Sequence, residues 1–401
     1  MKDIAPANGR TPLTAGELLP LIALTLSAFL LNTSEFVPIG LLTDIADSFT
    51  LSESGVGVMI SVYAWAVALL SLPLMIVASR ISPRALIVGV LAVFAVGQIG
   101  SAIAPTFGLL VASRLVVACA HAVFWSVASP FAVRVAAPER SSLAMSMIVT
   151  GTSVAMIFGL PLGRALGIAL GWRMTFVCVS AAALLALLAL LAFFPRLDRG
   201  EAFALSRLPE LARNRTLTGI YLVTILFATG YYTGYSYIEP FFQQVAALPD
   251  ALITAALTTF GVAGLAGSWL FARLYDGRRR AFLSMTTIGV AGALFMLSPL
   301  TGWVGGPFAT CAIWGACATA FNVAAQAEVI RSTSVGTSAV AMSIFSGLFN
   351  VGIGCGSIIG GLVCDGPGIG AVGIVGGLIA AAGALYCVLC VSRMIGSRSA
   401  T

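Results

Sequence analysis

Charge is scarce in this chain. Only 9% of its 401 residues are Asp, Glu, Lys or Arg, while 59% are hydrophobic and the mean hydropathy is +1.03. Average soluble chains carry roughly 25% charged residues. Histidine occurs once, as His121, and lysine once, as Lys2. Each scarcity excludes something. A soluble 41.2 kDa body has too little interior to hide so much apolar surface, so a soluble enzyme is excluded. With one His, no His-Glu-x-x-His and no aligned nucleophile–base pair, no enzyme is expected, and neither is a metal site or cofactor. No G-x-x-x-x-G-K-[ST] occurs, and no segment between apolar runs is long enough to fold alone. Any ATP-driven engine would have to be a separate subunit. The eight cysteines all fall within apolar stretches, where free Cys behaves as a small hydrophobe; Cys387-x-x-Cys390 is read as structural.

What is present is a series of long apolar runs. Crossing a bilayer takes about 20 residues of helix. Twelve runs qualify, at 18–42, 55–78, 85–104, 108–134, 142–168, 172–194, 217–242, 250–273, 281–299, 306–331, 338–364 and 370–395. The gaps at Pro105 and at Gly171-Trp172 are read as tight turns. The fold class is therefore an all-α integral membrane protein with twelve transmembrane helices. The parts are an N-terminal tail (1–17), a six-helix bundle (18–194), a charged central loop (195–216), a second six-helix bundle (217–395) and a C-terminal tail (396–401). The first run is an anchor, not a cleaved leader.

Short-loop Lys and Arg set orientation. With the N-terminus inside, 18 of the 21 basic residues lie on cytoplasmic segments, the exceptions being Arg114, Arg164 and Arg173. Asp44, Asp47, Glu53, Asp250 and Asp365 lie on the outer loops. Both termini are expected in the cytoplasm, and the net charge of +6 needs no nucleic-acid partner.

The halves echo each other. Span 5 has Gly151, Gly159, Gly163 and Gly167, with Ala155 completing the four-residue spacing; span 11 has Gly352, Gly356 and Gly360. Small residues every fourth position let a neighbouring helix approach closely. Glu35 precedes Pro38 in span 1, and Glu239 precedes Pro240 in span 7. Such internal repeats mark alternating-access transporters.

Polar groups inside a bilayer are costly, so their placement is informative. They gather in spans 1, 4, 7 and 10, while spans 3, 6, 9 and 12 have almost none. The first and fourth helices of each half should therefore line a central cavity, with the third and sixth facing lipid. At 1.5 Å per residue, Glu35 and Arg114 lie about 10 and 9 Å from the outer ends of their spans, at matching depth for a pair. His121 and Trp125 follow Arg114 on one face of span 4. Glu35 and Arg114 are the proton-coupling candidates, each with a static structural role as the alternative. Asn32, Tyr63, His121, Trp125, Tyr235, Glu239, Asn322, Gln326 and Asn350 are the candidates for substrate contact. For Glu239, trimming a gate is the alternative role. Glu328, an i, i+3 neighbour of Arg331, is read as structural. Arg80, Arg84, Asp276 and Arg278 are candidate inner-gate charges.

Several motifs resemble a known family. The twelve spans, central loop and repeat resemble the major facilitator superfamily and its fold of two pseudo-symmetric six-helix bundles. Gly159-Leu-Pro161-Leu-Gly163-Arg164 resembles the antiporter motif of its drug:proton antiporter branch, and Ala-Ser-Arg114-Leu that branch's span 4 motif. Leu31-Asn-Thr-Ser-Glu35-Phe-Val-Pro38, Ala120-His121-Ala-Val-Phe-Trp125-Ser126, Tyr235-Ser-Tyr-Ile-Glu239-Pro240-Phe241 and Ser346-Gly-Leu-Phe-Asn350 resemble the bacterial sugar efflux transporters, the arabinose and lactose exporters. The first inner loop departs from the superfamily's G-x-x-x-D-R-x-G-R-[RK] motif, keeping only Arg80 and Arg84. Leu160 separates the Gly and Pro that the antiporter motif places together. The resemblance implies a monomeric exporter of small neutral solutes, chiefly sugars, by proton antiport across a bacterial inner membrane. Protons, the solute and lipid are its partners. It implies packing roles for Gly159, Pro161 and Gly163. Multidrug efflux is the alternative, and a channel-like facilitator the alternative of another class.

Overall fold

The computed structural model describes residues 14–78, 80–137, 140–198, 211, 213–333 and 337–397. The tails before 14 and after 397, and most of the central loop, lie outside them, with Lys2, Arg10, Arg199, Arg207 and Arg398.

Lipid leaves no water for unpaired backbone groups, so apolar spans close their hydrogen bonds within helices. The elements are α1 (Ala15–Gly40), α2 (Leu42–Phe49), α3 (Glu53–Ala78), α4 (Pro83–Ile103), α5 (Phe107–Val135), α6 (Ser141–Leu170), α7 (Trp172–Phe193), α8 (Arg215–Tyr235), α9 (Ile238–Gln244), α10 (Asp250–Leu274), α11 (Arg279–Met296), α12 (Gly305–Arg331), α13 (Ser338–Asp365), α14 (Val372–Tyr386) and α15 (Ser392–Ser397). Local chemistry sets several ends. The Thr106 hydroxyl accepts from the Leu109 N–H, and the Asn214 side chain from the Thr216 and Leu217 N–H groups. Gly171 turns α6 into α7 in one residue at φ +86°, a backbone that favours glycine.

Eleven of these helices have 18 residues or more, and α14 with the π-helical turn after it and α15 makes a twelfth of span length, matching the twelve expected spans within several residues. Ten combine span length with high hydropathy. The exceptions have visible causes: α8 contains five Thr and four Tyr, and α11 is 18 residues long and opens on two arginines. One expectation needs correction. The run 217–242 is not one helix, because it breaks at Ser236-Tyr237 between α8 and α9. Pro240 has no N–H to give the Ser236 carbonyl, four residues back, which favours a break there. A π-helical turn, Cys387–Val391, joins α14 to α15 and holds Cys387 and Cys390 as free thiols.

The second half repeats the packing of the first. α1 packs on α6 as α8 packs on α13, α4 on α7 as α11 on α14, and α3 on α5 as α10 on α12. The glycine stripes make the first pairing. A Cβ added at Gly151, Gly159, Gly163 or Gly167 would meet Thr25, Thr33, Val37 or Leu41, one constant register along two parallel helices. In the second half, a Cβ at Gly352, Gly356 or Gly360 would meet the carbonyl of Ile225, Thr229 or Thr233, again in one register. The helices sparse in polar groups present apolar side chains outward, among them Val96, Leu185, Met285 and Leu378.

The halves join through α3–α13 and α6–α10. The end of the bundle where α1 begins is rich in arginine and the opposite end is poor in it. At the Arg-poor end, Val37–Ala46, Val56–Ala64 and Leu160 of the first half share one buried core with the second half. The Arg-rich end of the first half has its own separate core, from Leu21 to Phe194.

Candidate functional site

The site begins with a proline. Pro38 inside α1 has no N–H to donate to the carbonyl of Ser34, four residues back. Arg114 of α5 supplies the missing donors: Nη2 donates to the Ser34 carbonyl at 2.8 Å and Nη1 to its Oγ at 3.0 Å. Gln98 of α4 also donates to the Ser34 Oγ. The guanidinium is 2% exposed and lies 4.7 Å over the Tyr63 ring. It makes no ion pair within 4.0 Å among the described residues, so the expected Glu35–Arg114 pair is not formed. Depth brought the two residues to one level; the orphaned carbonyl decided where the guanidinium points.

Glu35 faces His121 instead, with Oε2 3.8 Å from Nε2. His121 Nδ1 lies 2.9 Å from the Tyr63 hydroxyl, and its ring centroid 6.0 Å from that of Trp125. Glu35, His121 and Tyr63 thus form a chain across α1, α5 and α3. Glu35, Tyr63 and Arg114 also line a cavity of about 10 Å³, room for about one water molecule. Met59 and Ile60 close it from the first half, Tyr232 and Ile353 from the second.

The remaining candidates lie elsewhere. Asn32 donates to the Thr152 carbonyl at 3.3 Å. Gln326 donates to Asn322 one turn away on α12, and both are half-buried. Asn350 donates to the Ser346 carbonyl at 3.0 Å, and its Oδ1 is buried without a partner. Tyr235 packs in an aromatic cluster with Tyr231, Phe260 and Trp314, at centroid distances of 4.9, 5.0 and 5.9 Å. It does not line the cavity; Tyr232, one turn of phase away, does.

Glu239 is also placed differently from a substrate contact. Its Oε1 takes the Arg164 Nη1 at 2.6 Å and its Oε2 the Thr43 hydroxyl at 3.0 Å. Arg164, 2% exposed, donates further to Asp250 at 2.8 Å and to the Gly40 carbonyl at 3.0 Å. Arg164, Gly40 and Thr43 belong to the first half, Glu239 and Asp250 to the second. A parallel set joins α3 to the second half: Ser54 to Asp365 at 2.6 Å, Ser357 to the Gly57 carbonyl at 3.1 Å, and Gln244 to Glu53 at 2.7 Å. All of these lie at the Arg-poor end.

At the Arg-rich end, each described polar contact stays within one half. Arg140 pairs with Glu17, Arg84 donates to the Leu191 carbonyl, and Arg331 pairs with Asp276. Buried Glu328 holds Arg279 and the Tyr275 hydroxyl, so its partner is not Arg331 as its spacing suggests. Of the expected inner-gate charges, Arg84 and Asp276 bond inside their own halves, Arg278 stands at the N-cap position of α11 with no side-chain cap bond, and Arg80 has no side-chain contact described. The bundle is therefore closed by polar bonds at the Arg-poor end.

Sequence reasoning missed Arg164, Tyr232 and the Ser34–Gln98 brace. A signal for the first was available. The three arginines that the loop charge rule leaves over all have specific partners here: Arg114 on Ser34, Arg164 on Glu239 and Asp250, and Arg173 on the Ala104 carbonyl and the Trp172 ring.

The sequence model of the Major Facilitator Superfamily matches residues 24–330. Solved structures with a similar fold include a bacterial homolog of the human lysosomal transporter Spinster, inward-facing and unoccupied. It is 17% identical with a TM-score of 0.79, over 96% of this chain and 98% of that one. A bacterial Spinster homolog in an inward-facing, occupied conformation is 18% identical with a TM-score of 0.69, over 97% and 98%. The human organic anion transporter MFSD10 is 16% identical with a TM-score of 0.67, over 94% and 100%.

Proposed function

Since this chain belongs to the Major Facilitator Superfamily, and is thus a transporter rather than an enzyme, we propose that it exports small neutral polyhydroxylated solutes, sugars foremost, by proton antiport. The observation that carries the reading is the Glu35–His121–Tyr63 chain beside a cavity walled by both halves. A carboxylate there senses whether the halves are together, and the neighbouring imidazole offers it a proton or a hydrogen bond. Arg114 takes a revised role: by bracing the Pro38 turn it positions Glu35 rather than pairing with it. Half-buried Asn322 and Gln326, and the unpartnered Asn350 Oδ1, offer neutral hydrogen bonds suited to hydroxyl groups. The arginine bias supports a cytoplasmic Arg-rich end with both termini inside, and the resemblance to bacterial sugar exporters supports a bacterial inner membrane as its place. The closed end is then the outer one, and the molecule opens inward. The aromatic cluster around Tyr231 and Trp314 favours a second reading, export of amphipathic drugs.

The test is efflux from proteoliposomes across sugars and drugs under an imposed pH gradient. Glu35→Gln should keep solute binding and counterflow but lose accumulation driven by the gradient. Normal proton-driven export in that variant overturns the assignment. His121→Ala should lose sugar binding.

A further inference from the structure

The second half carries an open groove between α11 and α14. Ala291 and Gly292 on one helix and Ala381 and Ala384 on the other leave a recess of about 390 Å³. Ile288 and Leu385 flank it and are exposed. At one end Phe295 closes it: a Cβ added at Gly377 of α14 would lie 2.9 Å from that ring. A recess facing lipid does not stay empty, because its walls would lose their contacts.

The other end of the groove points to the Arg-rich end of the bundle. The two helices run antiparallel, and two contacts set their register. Phe295 meets Gly377, and the Cys387 thiol lies against the Ser284 and Thr287 side chains. Carried on past Cys387, the same register brings Arg393 level with Arg279 and Arg280, where α15 packs on α11. Both Arg280 and Arg393 stand on the groove side. Arg280, Ser284, Ile288 and Gly292 recur every fourth residue and so share one face of α11. On the other wall, the π-helical turn lets the Ser392 N–H reach the Cys387 carbonyl, five residues back. A turn of that length sets Arg393 in line with Val388, which lines the groove. Arg279 is taken by Glu328. Arg280 and Arg393 are exposed, and neither pairs with a carboxylate among the described residues. About 12 Å of helix separates Arg280 from Ile288, so the charge stands at the membrane surface and the recess in the hydrocarbon.

We propose that this groove binds one anionic phospholipid, its acyl chain in the recess and its phosphate between Arg280 and Arg393. The two parts of the fit have different physics. The chain fills space that neither helix fills, but it brings no preference among headgroups. The preference comes from two guanidinium groups at the height of the lipid phosphates. A second copy docked here about a twofold axis would set these arginines against their own counterparts, like charge against like. Both walls belong to the second half, so the groove persists whichever end of the bundle is open. The site does not depend on which solute is transported.

The experiment is native mass spectrometry of the full chain in detergent, titrated with phosphatidylglycerol or phosphatidylcholine of matched chains. The wild type should hold one phosphatidylglycerol about 25-fold tighter than phosphatidylcholine, about fivefold for each arginine. Arg280→Gln with Arg393→Gln should remove that preference. Arg80→Gln with Arg215→Gln takes equal charge from the same end of the bundle and should leave it. Gly292→Leu should weaken the first binding of both lipids; it should fold, since nothing lies within 4 Å of its Cβ position. Equal affinity for the two lipids in the wild type overturns the proposal. So does a preference that survives the Arg280 and Arg393 substitutions or falls as far with those of Arg80 and Arg215. Unchanged lipid binding in Gly292→Leu overturns it too, as does a dimer that Gly292→Leu dissolves, which would give the groove to a second copy.

Discussion

Gly261 on α10 is where a single methyl group should act on the conformational equilibrium and leave folding alone. A Cβ there would lie 2.4 Å from the Ile157 carbonyl oxygen and 2.5 Å from the Ile157 Cα, on α6 of the other half. Both are backbone atoms, so no rotamer change relieves the clash. The approach is close for a reason. Ile157 stands four residues before Pro161, its carbonyl has no N–H partner within α6, and the glycine backbone comes against it. Overpacking of this kind costs about 1–3 kcal/mol. The strain crosses between the halves, so each six-helix bundle folds without it, and parting the halves removes it. The closed state should lose about 5- to 150-fold in population. The helix-propensity gain of Gly→Ala, about 1 kcal/mol, applies to open and closed states alike and cancels. Gly89→Ala is the control, since nothing lies within 4 Å of its Cβ position. Hydrogen exchange of Ile238–Gln244 should quicken in Gly261→Ala and stay put in Gly89→Ala. Wild-type exchange and wild-type transport in Gly261→Ala would refute the reasoning.

Two further outcomes follow from the buried polar groups. Arg114→Ala strands the Ser34 carbonyl at a cost of about 1–3 kcal/mol, read as a lower Tm in detergent. Pro38→Ala restores an N–H four residues on, so the double variant should recover part of the loss; strictly additive effects would show that Arg114 does not brace this turn. Glu328→Ala leaves the Arg279 guanidinium and the Tyr275 hydroxyl without their shared acceptor, a loss of about 1–3 kcal/mol. An unchanged Tm in that variant would mean that the pair is not formed in the membrane.

Much of the fold was legible because it follows from solvent. Lipid demands long apolar helices, and the twelve runs appear as twelve helical spans. The one run that breaks, at Ser236-Tyr237, does so near a proline that hydropathy alone passes over. The glycine stripes were legible as packing faces because a four-residue spacing is local geometry; their partners on α1 and α8 were not. Within the site, composition and depth singled out Glu35, Arg114 and His121, since so few polar groups remain in the membrane. Their partners were misjudged. Arg114 answers the Ser34 carbonyl, Glu239 answers Arg164, and Glu328 answers Arg279.

What the sequence by itself determined is the class of molecule, the number and order of its spans, its internal repeat and the short list of intramembrane polar residues. These depend on transfer free energy and periodicity, which are properties of a segment and its solvent. What only the tertiary structure decided is which donor meets which acceptor, and therefore which end of the bundle is closed. Glu239 and Arg164 are 75 residues apart, and their bond exists only because α6 and α9 meet across the halves. A hydrogen bond needs its partners placed within a few tenths of an ångström, and that placement is fixed by packing rather than by composition.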